Sequence, residues 1–292
     1  MSQLDQEHLK TWIGKTERLT DVITPVPARA LAALLDHERA PEREGDVLPS
    51  VWHWVYFLPV HRQSQVGPDG HPKRGGFLPP VTLPRRMWAG SQLQFHQPLH
   101  IGEAVTRVSR IDSINFKEGR SGALVFVRVV HEISGAKGLA ITEAQDLVYR
   151  DHPKPGEPVP PASAWPPVDA ASGWTREVVP DPVLLFRYSA LTFNGHRIHY
   201  DRPYAMDVEG YPGLVVHGPL TATLLLDHLQ ARYPQAQLTS YQFRGMKPII
   251  DDAPFTLCGQ LSEDGRTIGL WARNTEGALC MEAKATVAKE LS

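Results

Sequence analysis

The stretch Leu220-Thr-Ala-Thr-Leu-Leu-Leu-Asp-His-Leu229 decides the fold, because its leucines recur at helical spacing directly ahead of a β-like block. Pro219 suits the first turn of a helix, where its missing N–H costs nothing. Tyr233-Pro234 should end that helix, since proline disfavours helical backbone in the residue before it. A helix lying on an antiparallel sheet is an α+β arrangement.

The β-like block consists of four short segments joined by turn sequences. Glu263-Asp-Gly-Arg266 and Asn274-Thr-Glu-Gly277 separate the later segments, and Asp-Gly between two strands is a strong hairpin signal. The sequence predicts strands at about 237–247, 254–262, 267–273 and 278–288.

The amino-terminal part repeats this plan. Strands are predicted at about 92–95, 104–115, 123–134 and 140–149, after a short apolar helix at Ala28–Leu35. Gln92-Leu-Gln-Phe95 resembles Ser240-Tyr-Gln-Phe243, and each is followed by proline and a short apolar run. An internal duplication accounts for both observations.

A proline-rich stretch divides the two repeats. Seven prolines lie between Pro153 and Pro167, and neither a helix nor a central strand can run through them. We therefore expect a first half at residues 1–150, an extended linker at 151–180 and a second half at 181–292.

Composition excludes several classes of protein. Among the 292 residues, 42% are hydrophobic and 21% charged, which is normal for a globular protein, and the net charge of −2 gives no basic field for nucleic acid. No apolar run approaches the length of a membrane span, and the polar amino terminus lacks the core of a signal peptide. Cys258 and Cys280 are expected to be buried, reduced thiols, so we expect a cytoplasmic protein.

Titratable residues cluster between Arg187 and Asp201 and again at His217, just ahead of the long helix. His199 has a side chain whose pKa suits proton transfer, although a histidine that only braces its loop is equally consistent with the residue type. Gly218 would expose backbone N–H groups at the helix amino terminus, where a thioester oxygen could gain enolate charge. A glycine needed only for a tight turn is the alternative.

Other chemistries fit the sequence less well. His196, His199 and His217 could offer three imidazoles, but their spacing matches no standard zinc pattern, so we expect no metal. Gly-x-Ser-x-Gly does not occur, which argues against a serine hydrolase. Trp52, Trp54 and Trp88 could line an acyl pocket, yet large aromatic residues usually fill cores.

The segment Phe193-Asn-Gly-His-Arg-Ile-His-Tyr-Asp201, followed by His217-Gly-Pro-Leu220, resembles the hydratase-2 motif of the MaoC-like, type-2 hydroxyacyl-thioester dehydratase family. Trp12-Ile-Gly-Lys-Thr16 and Gly76-Phe-Leu-Pro-Pro80 resemble the dehydratase-like domain of the same branch. The resemblance covers nearly the whole chain and implies a double hot-dog fold, with the catalytic loop in one half and an acyl pocket shaped by the other.

The resemblance also implies roles for individual residues. His199 falls on the family histidine that handles the protons of water, and Gly218 on the glycine whose amide holds the thioester carbonyl. Asn194 stands where the family has an aspartate, and an amide can orient water but cannot accept its proton. We therefore expect His199 to transfer the proton alone, with Asp201 or His196 orienting its ring.

The substrate class follows from the same resemblance, which within the family is to hydratases of short branched dicarboxylic acyl-CoAs such as mesaconyl-C4-CoA (3-methylfumaryl-CoA) and itaconyl-CoA. A second carboxylate calls for a cation, preferably arginine. Expected contacts to the substrate or to the phosphates of CoA come from the residues His196, Arg197, His217, Arg244, Lys247 and Arg86, with Arg85 and Arg187 as further possible cations. No cofactor is expected beyond the CoA thioester substrate, and a homodimer is typical of the family.

Three alternative functions stay open at this point. A hot-dog thioesterase would need a carboxylate on or beside the helix, and Asp227 is available there. A dehydratase acting on acyl-carrier-protein substrates would differ mainly in carrier and chain length. A non-catalytic thioester-binding module is favoured only by Asn194.

Overall fold

The computed structural model describes residues 5–119, 122–152 and 173–291. Its helices are α1 (Gln6–Lys10), α2 (Pro25–Leu34), α3 (Pro182–Leu191) and α4 (Gly218–Arg232). Its strands in the first half are β1 (Thr16–Val22), β2 (Arg85–Phe95), β3 (Ala104–Gly119), β4 (Gly122–Gly135) and β5 (Gly138–Arg150). Those of the second half are β6 (Gly173–Val178), β7 (Leu238–Gly245), β8 (Phe255–Leu261), β9 (Thr267–Arg273) and β10 (Leu279–Val287).

All of these strands belong to one antiparallel sheet, in the order β1-β3-β4-β5-β2-β7-β10-β9-β8-β6. Read outward from its centre, each half has the same order of equivalent strands, so β1 corresponds to β6 and β2 to β7. The sheet topology therefore repeats, which confirms the duplicated α+β plan predicted from the sequence.

The pairing of β2 with β7 joins the halves at the centre of this pseudo-symmetry. Leu93 lies opposite Tyr241, and Gln92 lies opposite Gln242. These are the residues of the two similar tetrapeptides, and an antiparallel pair aligned in this way relates equivalent positions by a twofold axis. The two halves thus share one continuous set of backbone hydrogen bonds.

Helix α4 is the core of the second half. Every residue from Leu220 to Leu229 is buried, and the helix contacts β8, β9, β10 and β2. Such a helix needs apolar side chains all round, which its run of leucines supplies. Its observed start and end match the boundaries that Pro219 and Pro234 predict. Helix α2, which precedes the sheet of the first half as α4 precedes that of the second, is shorter than α4 and contacts α3.

Some elements lie outside the prediction. Edge strand β6 occupies residues 173–178, within the stretch expected to be a linker at 151–180. That part of the expectation was wrong, because β6 begins after the last of the crowded prolines and pairs only on one side. Residues 153–172, where those prolines lie, are outside the described residues, and the other boundaries stay a prediction.

Two further findings concern the environment of the chain. Cys258 and Cys280 are both buried and free. Within residues 5–119, 122–152 and 173–291, no helix is both long and apolar enough to cross a bilayer.

Candidate active site

The loop that carries the titratable residues leaves α3 through a tight helix end. The Phe193 amide donates to the Ala190 carbonyl at 3.3 Å, and the Asn194 amide donates to the Ser189 carbonyl at 2.8 Å. This is a Schellman motif, whose turning residue is usually glycine. Phe193 occupies that position with φ 51°, a left-handed conformation that an L side chain adopts at a cost. The motif directs the chain into a single 3₁₀ turn at Arg197–His199.

His199 lies on this turn and is 7% exposed. Its Nδ1 lies 2.7 Å from the Val215 carbonyl oxygen, and because a carbonyl can only accept, Nδ1 must carry the proton. Burial lowers the pKa of His199 to about 4, against the smaller opposing effect of the bond to Val215. The ring is therefore neutral at physiological pH, with the lone pair on Nε2 available to accept a proton.

The ring of His217 packs against one face of the His199 ring. The two imidazoles stack with centroids 3.7 Å apart, and Nε2 of His217 lies 2.8 Å from Ser189 Oγ. His217 is completely buried, and burial together with the neighbouring His199 lowers its pKa. The geometry gives this ring a packing role in place of the substrate contact expected from the sequence.

Gly218 is the first residue of α4 and follows His217 directly. Its N–H has no partner within the helix, because the first amides of a helix point outward. Its φ is not left-handed, and a Cβ added here would meet only the Trp88 carbonyl oxygen, at 3.9 Å. Neither backbone strain nor packing among the described residues requires glycine at this position. What the glycine provides is open space beside an unpaired amide, next to the stacked imidazoles.

Asn194 and Asp201 are placed differently from expectation. The Asn194 side-chain oxygen accepts from the His196 amide at 3.0 Å, which fixes the turn. Asp201 binds Arg197 through Nε at 2.9 Å and Nη2 at 2.7 Å, and Arg197 lowers the pKa of that carboxyl. The expectation that Asp201 orients His199 was wrong, since the Val215 carbonyl does so. Because Arg197 is ion-paired with Asp201, its positive charge is balanced within the loop.

A residue that sequence reasoning missed extends the group of imidazoles. The ring of His71, from the first half, lies 4.0 Å from that of His196, which in turn meets His199 edge-on at 5.4 Å. We call His71, His196, His199 and His217 the imidazole row. Burial lowers the pKa of His71 to about 4, and burial followed by the neighbouring His71 lowers that of His196. All four rings are thus neutral in the free site.

The candidate cations differ sharply in their surroundings. Arg244 pairs with Glu282 at 2.9 Å, and Lys247 with Glu276 at 3.5 Å, both at the surface. The buried Arg85 pairs with Glu209 at 3.1 Å. Among the described residues, no carboxylate lies within ion-pair distance of Arg86. Arg86 lies on β2 opposite Tyr149, and after burial its charge contributes to the lowered pKa of both His71 and His196.

An aromatic cluster includes Trp88, whose carbonyl oxygen lies nearest to Gly218. The rings of Trp54 and Trp88 meet edge-on with centroids 5.3 Å apart, and both lie 5.9 Å from Phe243. The buried Glu143 accepts from Trp54 Nε1 at 3.1 Å and from Ser91, which lies 3.0 Å from Trp88 Nε1. Trp52 is buried apart from this group, beside His37.

The features that a thioesterase or a metal enzyme would need are paired with other residues or are not found among the described residues. Asp227 on α4 binds His37 at 2.5 Å and Arg176 at 2.7 Å, so its carboxylate holds elements together. In the part of the chain that the structure describes, no group of three or more His, Cys, Asp or Glu side chains is arranged to hold a metal ion. A cavity of about 930 Å³ beside α2 contains none of the imidazole row.

Comparison with known proteins shows the family of the chain. The family profile described as hydroxyacyl-thioester dehydratase type 2 matches residues 51–251. The chain is 49% identical over 274 residues to the mesaconyl-C4-CoA hydratase of Chloroflexus aurantiacus, covering 93% of this chain and 95% of that protein. It is 29% identical over 245 residues to the mitochondrial hydroxyacyl-thioester dehydratase type 2 of Schizosaccharomyces pombe, covering 75% and 78% of the two chains.

Solved structures confirm the fold. A MaoC-like dehydratase superposes with a TM-score of 0.72 at 16% identity, covering 96% of this chain and 99% of its own. A Mycobacterium tuberculosis protein described as having a double hot-dog fold superposes with a TM-score of 0.57 at 14% identity, covering 94% and 96%. The double hot-dog fold predicted from the sequence is thereby confirmed.

Proposed function

The chain belongs to the hydroxyacyl-thioester dehydratase type 2 family and is a hydro-lyase, and from this premise we propose its substrate and the roles of its residues. The proposed reaction is the reversible addition of water to a short dicarboxylic enoyl-CoA of the mesaconyl-C4 (3-methylfumaryl) type. The hydratase at 49% identity supports this substrate. The observation that carries the mechanism is the bond from His199 Nδ1 to Val215, which leaves Nε2 free beside the amino terminus of α4.

In this mechanism His199 acts as the general base. Its Nε2 takes a proton from water while the water oxygen bonds to the β-carbon of the substrate, and the same proton returns to the α-carbon. The neutral ring that burial enforces is the form able to begin this step. In the reverse direction, His199 removes the α-proton and returns it to the departing hydroxyl.

Negative charge develops on the thioester oxygen as the β-carbon is attacked. The Gly218 amide, with the positive end of the α4 dipole behind it, is the donor assigned to that oxygen. The missing side chain leaves room for the thioester beside the Trp88 carbonyl. Because the donor is part of a helix, it does not reorganise during the reaction.

Asn194 is assigned to water binding rather than to proton transfer. Its oxygen is taken by the His196 amide, so the side-chain NH₂ is the group left to hold the water oxygen. Arg86 is the cation assigned to the second carboxylate, since Arg85 and Arg197 are ion-paired with Glu209 and Asp201, whereas Arg86 forms no ion pair among the described residues. Contact of Arg244 and Lys247 with CoA phosphates stays a prediction.

The setting of the enzyme is part of the proposal. The reaction needs no cofactor besides the CoA thioester, because one imidazole and one amide supply all of its chemistry. Two free cysteines are consistent with work in the reducing cytoplasm. Assembly as a homodimer is proposed from what is usual for the family.

The test is to measure hydration of mesaconyl-C4-CoA, itaconyl-CoA and crotonyl-CoA side by side, with wild-type enzyme and His199→Ala. We expect the highest kcat/KM with mesaconyl-C4-CoA, and a loss of about 10²- to 10⁴-fold in kcat for the variant. A preference for the uncharged crotonyl chain would reject the dicarboxylic substrate. Wild-type turnover by His199→Ala would reject the assigned base.

A further inference from the structure

The first half contains a turn of the same sequence type as the catalytic loop. Asp69-Gly-His71 matches Asn194-Gly-His196 in chemistry and spacing. In each tripeptide the side-chain oxygen of the first residue accepts from the histidine amide at 3.0 Å. The two turns therefore share this side-chain-to-backbone hydrogen bond, although the central glycine is left-handed at Gly70, with φ 88°, and not at Gly195.

The two turns are packed directly against each other. A Cβ added to Gly195 would come within 2.8 Å of the Gly70 carbonyl oxygen, and one added to Gly70 would clash with Gly195. The Arg197 amide donates to the Asp69 carbonyl at 3.0 Å. This close backbone approach holds the ring of His71 against that of His196, so the first half contributes a side chain to the imidazole row.

His71 has the same hydrogen-bonding pattern as His199. Its Nδ1 lies 3.1 Å from a carboxylate oxygen of Asp69 and must donate to it, as Nδ1 of His199 donates to the Val215 carbonyl. No described residue forms a hydrogen bond with Nε2 of either ring. His71 thus keeps a free ring nitrogen in a partly buried position, beside a carboxylate that would stabilise a positive charge on it.

The charged groups around His71 have a net positive charge, which favours an anion there. Asp69 binds it from its own loop, the neutral ring of His196 lies against it from the catalytic loop, and Arg86 on β2 adds positive charge that contributes to its lowered pKa. Arg74 lies nearby, with its guanidinium held by the carbonyls of Val81, Leu83 and Pro84. Two arginines against one carboxylate favour the binding of a further negative group.

The proposed substrate has a negative group at the right place. In a 3-methylfumaryl thioester, the second carboxylate is attached to the β-carbon, which is the atom that water attacks. A group on that carbon must lie close to His199 and hence to the imidazole row. We infer that His71, together with Arg86, binds the second carboxylate of the substrate and is a specificity-determining residue. This inference rests on the proposed function.

The inference includes a proton. A neutral His71 would present a lone pair to the carboxylate, so Nε2 takes up one proton from solvent when the substrate binds and then donates a hydrogen bond. The adjacent anion raises the pKa of His71 from about 4 in the free site. No bond of the substrate is made or broken by this uptake. It neutralises charge that would otherwise repel the incoming water oxygen.

Crotonyl-CoA is the matched control substrate, because on the β-carbon it has an uncharged methyl group where the 3-methylfumaryl chain has its trans carboxylate, and hydrogen where that chain has its methyl. We expect His71→Asn, whose amide can still donate to Asp69, to lower kcat/KM for mesaconyl-C4-CoA by about 10- to 100-fold, the effect of losing one hydrogen bond to a charged group. Its kcat/KM for crotonyl-CoA should stay within about threefold of the wild-type value, which is a difference of about half a log unit. His61→Gln, exposed in the same segment, should leave both substrates unaffected.

The pH dependence gives a second readout. For wild-type enzyme, the ratio of kcat/KM for mesaconyl-C4-CoA over crotonyl-CoA should rise as pH falls from about 8 to 6, by up to about tenfold per unit for one proton taken up. The phosphates of CoA are common to both substrates and cancel in the ratio. In His71→Asn the ratio should be independent of pH.

The outcomes separate the two proposals. An equal fall for both substrates in His71→Asn would show a structural role only, and no fall would show no role; either overturns the inference while leaving the proposed function intact. A wild-type enzyme with no preference for mesaconyl-C4-CoA would overturn both.

Discussion

At the residue scale, the site depends on small groups placed where the backbone leaves them no competing partner. The one ring N–H of neutral His199 donates a hydrogen bond to the Val215 carbonyl. The Gly218 amide has no acceptor within its own helix. Neither feature depends on an unusual side chain. The proposed reactivity depends on burial, which holds the imidazole neutral, and on the start of a helix, which leaves a donor without a partner among the described residues.

Gly218→Ala tests the amide. The added Cβ meets only the Trp88 carbonyl within the protein, so the fold should be unchanged, but it would enter the space assigned to the thioester. We expect kcat to fall about 100-fold, the order found when one oxyanion donor is lost. Steady-state kinetics and a thermal melt measure the two effects.

Gly76→Ala is the control for that substitution, because a Cβ there meets nothing within 4 Å and the φ is likewise not left-handed. It should change neither kcat nor melting temperature. Full activity in Gly218→Ala would remove this amide from the mechanism.

At the element scale, α4 is fixed by charge as well as by its leucines. Its buried Asp227 binds His37, which follows α2, and Arg176 of edge strand β6. One carboxylate therefore joins three parts of the chain around the helix that carries Gly218. This use of Asp227 is structural, which argues against the thioesterase alternative.

Arg176→Gln tests that role. Removing the arginine leaves a buried carboxylate with His37 as its remaining ionic partner, and we expect the free energy of unfolding to fall by about 1–3 kcal/mol, since the arginine is itself partly exposed. Denaturant titration measures the loss, and kcat should be unaffected. Release of free CoA by wild-type enzyme, absent from Asp227→Asn, would instead restore the thioesterase reading.

The sequence predicts the elements unevenly, and for physical reasons. Strand β9 matches its predicted bounds, because apolar residues and turn signals define it on both sides. Strand β1 was missed, because an edge strand with the sequence Thr-Glu-Arg-Leu-Thr-Asp-Val has one weakly buried face and little apolar signal. Helix α3, with Phe186 and Val183 exposed, lacks a clear apolar face of the kind that periodicity detects.

The site was predicted less completely than the strands. His199 and Gly218 lie in the two segments of the sequence motif, 193–201 and 217–220, whereas the neighbour of His196 comes from a loop more than a hundred residues away. The repeated Asx-Gly-His tripeptide was the one signal in the sequence that pointed to His71. Asp201 was misassigned because its carboxylate pairs with Arg197, four residues earlier in the chain. Its closeness to His199 in the sequence did not show this local ion pair.

At the scale of the whole molecule, buried neutral histidines make stability depend on pH. Burial lowers the pKa of His71, His131 and His199 to about 4, well below the unfolded value of 6.5. The unfolded chain therefore binds more protons than the folded one between pH 6.5 and 4, so stability is lost as pH falls through that range. Above pH 6.5 these groups add no pH dependence.

We expect the free energy of unfolding to fall by about 1.4 kcal/mol per pH unit for each such histidine below pH 6.5. Urea titrations at pH 8, 7, 6 and 5 measure this slope. Stability should be nearly constant from pH 8 to 7 and should drop steeply by pH 5. A flat profile down to pH 5 would mean that the rings become charged without unfolding.

The seam between β2 and β7 has a consequence for how the molecule can be divided. A chain cut within residues 151–172 would leave two fragments, each with a bare central strand whose natural complement is the other fragment. Apart, each would be inclined to pair with copies of itself along that uncovered edge. Together, they would have to reassemble before the dicarboxylic substrate could be bound and hydrated as proposed, because the first fragment holds His71 and the second holds His199.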